Sequence, residues 1–236
     1  MIDVAGALEL LSSDSAKNIS FINFIKNNKV TFLQVVDNAI VGKGISDHEW
    51  VYFCCHNEME LIELLKFCKS DKFFAVLEDW MLPFVAEEKE IDWKLSTRRY
   101  ILPENIEFVS TIQRVEDLQA TDADYIYQNS KYKDFLSVKY IEDRINMGLS
   151  SGIKENGKLV AWAITQDDGA IGFLNVLQEY RRQGYAIEII VDIINKVRKS
   201  GNIPFAYIED TNKHAVELCN KLGFLSDRLI HWIKLV

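Results

Sequence analysis

The chain has 236 residues, 48% of them hydrophobic and 26% charged, with a formal net charge of -8. That length fits one large domain or two small ones, and the composition is ordinary for a globular protein. The acidity argues against a surface for duplex nucleic acid. No apolar run approaches the roughly 20 residues that span a bilayer, and the N-terminal stretch lacks the basic segment of a secretory signal. A cytoplasmic location is expected, with neither nucleic acid nor membrane as a partner. A homodimer is compatible with the sequence.

In chain order, Ile2–Leu11 and Ala16–Asn28 have helical spacing. Thr31–Val36, Ala39–Ser46 and Trp50–Cys55 read as short strands, the first two joined by a turn at Asp37–Asn38. Met59, Ile62, Leu65 and Cys68, with Leu61 and Leu64, mark a helix face. Phe73–Val76 predicts a buried strand, Asp79–Val85 a short helix and Trp93–Leu102 a strand. Pro103 removes a backbone donor and holds Leu102 extended, which marks a boundary between residues 1–103 and 104–236.

Beyond it, Ile106–Arg114 predicts a strand and Glu116–Gln128 a polar helical region. Val138, Ile141, Ile145 and Leu149 recur at helical spacing. Ser151–Glu155, Lys158–Thr165 and Ala170–Val176 form an antiparallel meander, with type I′ turns expected at Asn156–Gly157 and Asp168–Gly169. Gly184–Ser200 has one apolar helical face and ends at Gly201. Ile203–Glu209 predicts a strand. Thr211 or Asn212 caps a further helix that ends at Gly223. Phe224–Ser226 and Leu229–Val236 close the chain as strands, giving a mixed α/β sheet protein.

Cys54, Cys55, Cys68 and Cys219 include no CxxC pair, and adjacent Cys54 and Cys55 face opposite sides of a strand. Free thiols are expected, and no metal site. His48, His56, His214 and His231 are scattered and form no ligand motif.

The informative stretch is Val176-Leu-Gln-Glu-Tyr-Arg181-Arg-Gln-Gly184-Tyr-Ala186. A strand ends, a short loop brings Arg181 and Arg182, and a helix starts at Gly184. The first N–H groups of a helix lack internal partners and the helix dipole adds positive potential, so a pyrophosphate can bind there. Gly184 and Ala186 leave room for it. A solvated basic turn before an amphipathic helix has the same local features.

Here the chain resembles the GNAT superfamily of N-acetyltransferases. Arg181-x-x-Gly184-x-Ala186 is similar to the acyl-CoA motif of that family, with Val176 and Tyr180 at positions where it usually has Val and Tyr. Downstream, Asn212-x-x-Ala215-x-x-Leu218-x-x-Lys221-Leu222-Gly223-Phe224 is similar to its second motif. The resemblance covers roughly Ile106 to Val236. It implies the GNAT acyl-CoA N-acyltransferase fold, a mixed and mostly antiparallel sheet flanked by helices. The first half, ending Ile91-Asp-Trp93-Lys, is similar to the amino-terminal part of glycine N-acyltransferase-like proteins, which hold two GNAT-like halves with the cofactor in the second. No second Arg-x-x-Gly-x-Ala loop precedes Pro103. The first half is therefore expected to be a degenerate repeat without a CoA site that helps form the acceptor pocket; an unrelated α/β domain is the alternative.

The resemblance implies acetyl-CoA, or another acyl-CoA, as co-substrate, and direct attack by a primary amine of a small molecule or amino acid. The phosphates are expected on Arg181, Arg182, Gln183, Gly184, Tyr185 and Ala186. Asn175, Val176 and Leu177 line the pantetheine channel, and the Val176 N–H is the expected oxyanion donor. Asn212 is a cofactor contact in the family and is equally explained as a helix cap. Many relatives carry a tyrosine acid where this chain has Cys219, so Cys219 is either a thiol acid or a packed core residue; water or Tyr185 are substitutes. Glu209 is the expected base, with Asp210 and Glu179 also near, and a solvated strand-end carboxylate is its bland alternative. A peptide or protein N-acetyltransferase, or a sensor that binds acyl-CoA without turnover, are the competing functions.

Overall fold

The computed structural model describes residues 2–108 and 114–236. The helices and strands, in chain order, are α1 (Val4–Leu11), α2 (Ser15–Asn27), β1 (Lys29–Val36), β2 (Ala39–Ile45), β3 (Glu49–Cys54), α3 (Glu58–Leu65), β4 (Phe73–Glu78), α4 (Leu82–Val85) and β5 (Ile91–Ile101). There follow β6 (Val115–Glu116), α5 (Ala123–Gln128), α6 (Val138–Met147), β7 (Ser150–Glu155), β8 (Lys158–Thr165), β9 (Ile171–Val176), α7 (Tyr185–Lys199), β10 (Phe205–Ile208), α8 (Lys213–Lys221) and β11 (Leu225–Leu235). Short 3-10 turns precede α2, α4, α5 and α6.

These elements form two compact units. The first comprises Met1–Arg99, Ile208–Asn212 and Ser226–Val236, and the second Tyr100–Tyr207 and Lys213–Leu225. They differ from a single cut at Pro103 in the two C-terminal pieces. They also differ in the segment around Pro103, which is bonded within the second unit. Leu102 N–H donates to Pro204 O at 2.9 Å, and the Arg198 guanidinium donates to Pro103 O at 2.9 Å and to Ile106 O.

In the first unit the strand order is β1-β2-β3-β4-β11-β5. β1, β2 and β3 are an antiparallel meander, β4 runs parallel to β3, and β11 is antiparallel to β4. Both faces are covered. Cys54 packs into the cluster of Phe21, Phe24 and Tyr52 beneath α1 and α2, and Cys55 into the cluster of Leu61, Leu64 and Cys68 beneath α3. Adjacent strand residues thus serve opposite layers, as alternation requires. All four cysteines are free and buried. Among the described residues there is no His/Cys/Asp/Glu group able to hold a metal, and no helix is long and apolar enough to cross a membrane.

In the second unit the order is β10-β9-β8-β7-β6, antiparallel except that β10 runs parallel to β9. The adjacent serines of β7 reveal the layers. Ser150 Oγ accepts from Leu118 N–H, just before α5, and Ser151 Oγ donates to Asp192 of α7 at 2.7 Å. So α5 and α6 cover one face, over Trp162 and Ile164, and α7 covers the other. The two units repeat one order: two helices, a three-stranded meander, a helix, and a strand parallel to the last meander strand.

Four local expectations are corrected. Only Gly169 of the β8–β9 hairpin has positive φ, at 83°, and Gly169 N–H bonds Gln166 O at 3.0 Å. This is a three-residue loop with its glycine left-handed, not a type I′ turn; the Asn156–Gly157 turn does have φ of 52° and 78°. The closing strands are one continuous β11, because Asp227 and Arg228 extend through it, held by Arg99 at 2.6 Å and Glu78 at 2.9 Å respectively. The polar region from Glu116 becomes helical only at Ala120, since Val115 and Glu116 pair with β7. The strand expected over Ile106–Arg114 is absent from 106–108 and 114, and residues 109–113 lie outside the described residues.

Asp168, in the hairpin loop, is 1% exposed. Its Oδ1 accepts from Ala170 N–H at 3.1 Å and its Oδ2 from the Tyr207 hydroxyl of β10 at 2.5 Å. Burial, and then the neighbouring charge of Asp167, push its carboxyl up to about 7. This clasp sits beside the one register pair between β9 and β10, Ile171 with Ala206.

Two outcomes are expected. A Cβ on Gly42 would lie 2.6 Å from the Phe21 ring and 2.9 Å from Leu33, both buried. Gly42→Ala should therefore lose about 1–3 kcal/mol of stability in urea titration; an unchanged midpoint would contradict this packing. The native Asp168 holds its proton above the unfolded value, so its contribution to stability is complete below about pH 4 and declines as pH rises to about 7. Asp168→Asn stays neutral and should lose that decline. Melting curves from pH 4.5 to 8 test this, and parallel profiles for variant and wild type would refute it.

Candidate functional site

The site begins with the way β9 ends. β9 is bulged: the register with β8 shifts between Trp162 and Ile164, and Phe173 takes φ of 55°, left-handed for a residue with a side chain. Beyond the bulge, Asn175 stands opposite Trp162, and Leu177 N–H bonds Val160 O at 2.9 Å. The N–H and C=O of Val176, between them, therefore face away from β8. That is the edge on which β10 would pair, but among the described residues register with β10 is limited to Ile171 and Ala206. The Val176 carbonyl is taken by Arg181 Nε at 3.0 Å. Its N–H faces the gap.

The loop then turns through a short 3-10 segment, Gln178–Tyr180, into α7. Arg182 has φ of 62° and Gly184 φ of 90°. Gly184 caps the helix with no side-chain bond. None of the N–H groups of Arg182, Gln183, Gly184, Tyr185 and Ala186 donates to an acceptor among the described residues. A run of unpaired N–H groups at a helix start, with left-handed backbone at alternate positions, is a cradle for an anion. A Cβ on Gly184 would meet only Glu188 Oε1, at 3.7 Å, so the approach is open. Arg181 keeps its terminal nitrogens, and Arg182 its whole guanidinium, without a partner among the described residues. Gln183 bonds back to Glu179 O at 3.4 Å. These residues fit a diphosphate group.

Glu188, in the first turn of α7, would repel such a group. Arg114 neutralises it, with Nε 2.7 Å from Glu188 Oε2 and its guanidinium 4.4 Å from the centre of the Tyr185 ring. The Tyr185 hydroxyl donates to Glu155 at 2.8 Å, and that bond raises its pKa. The phenol is thus committed. No sequence spacing pointed to Arg114 or Glu188, which lie 74 residues apart.

The corresponding helix of the first unit starts differently. Asn57 Oδ1 accepts from Glu60 N–H at 3.0 Å, and Glu60 Oε2 accepts from His56 N–H at 2.7 Å. The bond from the His56 N–H, first of all, holds the Glu60 carboxyl below its usual range. Two of the donors there are thus already met by side chains, one by the Asn57 amide and one by the Glu60 carboxylate, with Glu58 adding negative charge beside them.

The remaining expected residues fall as follows. Asn175, Val176 and Leu177 end β9, half-buried, and Leu177 packs against the α5–α6 cluster. Cys219 is 8% exposed on α8, and burial pushes its thiol up to about 12. Glu209 follows β10, half-buried, and Asn212, whose N–H donates to Glu209 O at 2.8 Å, precedes α8. Those two are counted with the first unit, and the loop, Val176 and Cys219 with the second.

Comparison with known proteins places this geometry. The family described as FR47-like protein matches residues 146–233. No curated protein sequence matches the chain. A Drosophila melanogaster protein solved by X-ray crystallography superposes with a TM-score of 0.81 at 17% identity, over 100% of this chain and 97% of that one. A GCN5-related N-acetyltransferase-like protein from Streptococcus suis gives 0.56 at 14% identity, over 99% and 98%. A tandem GNAT protein from the clavulanic acid biosynthesis pathway gives 0.56 at 10% identity, over 98% and 94%. The chain therefore has the GNAT fold, with an FR47-like region at residues 146–233.

Proposed function

We propose that the protein is an acyl-CoA-dependent N-acyltransferase that transfers acetyl from acetyl-CoA to a primary amine of a small molecule or amino acid. The observation that carries this reading is the run of unpaired N–H groups from Arg182 to Ala186, flanked by Arg181 and Arg182, beside a strand edge left open at Val176. Arg181, Arg182 and Gly184 would hold the phosphates. The Val176 N–H would donate to the thioester carbonyl as negative charge grows on its oxygen. Asn175 and Leu177 flank that donor.

Glu209 is the proposed base for the ammonium proton. Cys219 is assigned to packing: a buried thiol near 12 parts with its proton reluctantly. That same burial favours a second reading, acyl-CoA binding without turnover. A panel of amines with acetyl-CoA separates the two.

Acetyl-CoA at about 100 times Kd should stabilise the fold by about 2.7 kcal/mol. Gly184→Asp should weaken it at least tenfold, about 1.4 kcal/mol, while Gly184→Asn, equally strained but neutral, should lose less. Equal affinities in the two variants would remove the phosphates from this loop. In turnover assays, Glu209→Gln should lower the rate by roughly 10²-fold or more. Cys219→Ala should stay within a few-fold and lose about 1 kcal/mol of stability. A hundredfold loss in the cysteine variant with unchanged acetyl-CoA affinity would make Cys219 the acid instead.

A further inference from the structure

Arg144 of α6 is an anomaly. It is 3% exposed, and its Nε is fully buried with no hydrogen-bond partner. No carboxylate among the described residues pairs with its guanidinium. The acids beside it in sequence do not serve: Asp143 pairs with Lys139 at 2.5 Å, and Glu142, two residues back on the same helix, does not face it. What the guanidinium does touch is an aromatic ring. Its carbon lies 5.5 Å from the centre of the Tyr140 ring, one helical turn back. An arginine cannot shed its charge in a protein, so a buried guanidinium with an unmet donor is either a defect or half of an interaction.

Its position favours the second alternative. The Tyr140 ring is 6.2 Å from the Phe173 ring, the bulged residue of β9. Phe173 is three residues before Val176, roughly 10 Å along a strand. The phosphate cradle opens into α7 on one face of the sheet, whereas α6 covers the opposite face. A thioester reaching the gap beside Val176 from the α7 side would meet an acceptor on the α6 side. A planar fork of donors backed by an aromatic ring is suited to a carboxylate, which it can hold through two bonds.

We propose that Arg144 is a specificity residue that binds a carboxylate carried by the acceptor amine. The inference rests on the acyltransferase reading above. Arg144 selects amines bearing a carboxylate over their amides, with Tyr140 holding the guanidinium in place. The span between amine and carboxylate is set by the distance from Arg144 to the gap at Val176.

The test uses the full chain with CoA and a panel of N-acetylated α- and ω-amino acids, each beside its C-terminal amide. Melting temperature is the readout, so turnover is not required. At least one free carboxylate should raise the melting temperature of the CoA complex, with its amide roughly 10- to 100-fold weaker. Arg144→Met should melt higher than wild type without ligand, because it removes an unpaired buried charge. It should keep the CoA shift and lose the preference for carboxylates. Arg144→Lys should retain a weakened preference. A CoA shift in wild type with acids and amides indistinguishable would overturn the proposal and leave the acyltransferase reading intact. An Arg144→Met variant that is less stable than wild type, or unfolded, would also overturn it, since the arginine would then be a structural partner. Loss of the CoA shift in wild type would count against the acyltransferase reading, while the contrast between acids and amides still reports on Arg144.

Discussion

Among the described residues the parallel pairing of β9 and β10 stops after one pair, and the rest of the candidate site depends on that stop. Were Ile171 and Ala206 followed by further ladder bonds, the N–H of Val176 would be spent on the sheet. Two features keep the strands parted. The bulge at Phe173 turns β9 out of register, and the Asp168–Tyr207 clasp fixes the closed end. The first sets the opening, and the second confines it to one end. Arg181 then occupies the carbonyl of the same open residue, tying the loop before α7 to the end of β9.

The two units share one topological order but treat the analogous helix start in opposite ways. At α7 the backbone donors are unmet, the N-cap is a glycine, and the acid in the first turn is cancelled by Arg114. At α3 Asn57 and Glu60 meet two of the donors, and a second acid, Glu58, adds to the charge. A helix start has a fixed number of hydrogen bonds to give, and a side-chain cap and a bound phosphate compete for them. The difference is one of residues and not of fold, so likeness of topology says little about what the first unit holds.

Much of this was legible locally. The glycine and two arginines between a strand and an amphipathic helix announced the loop, and alternation placed Cys54 and Cys55 on opposite layers. Where the reading fell short, the missing information was distant in the chain. Asp227 and Arg228 look like a turn until Arg99 and Glu78, well over a hundred residues earlier, are seen to hold them extended. Asp168 looks like an ordinary hairpin residue until Tyr207 buries it. Arg144 shares the apolar face of α6 with Ile141 and Ile145, and its burial without an acid partner shows only in the fold. Long-range ion pairs and buried single charges leave no periodicity to detect.

The strand order of the first unit has a consequence for synthesis. β11 lies between β4 and β5, yet in the chain it follows the helices and strands of the second unit. A ribosome releases β1 to β5 early, with a central place in their sheet still vacant, and that place is filled only after β6 to β10 have been made. Of the two units, the one whose strands are begun earlier is thus completed later. In the interval the facing edges of β4 and β5 are open to pairing with other chains. Loss of β11 would accordingly harm the first unit, and a fragment that stops before β11 would be prone to aggregate.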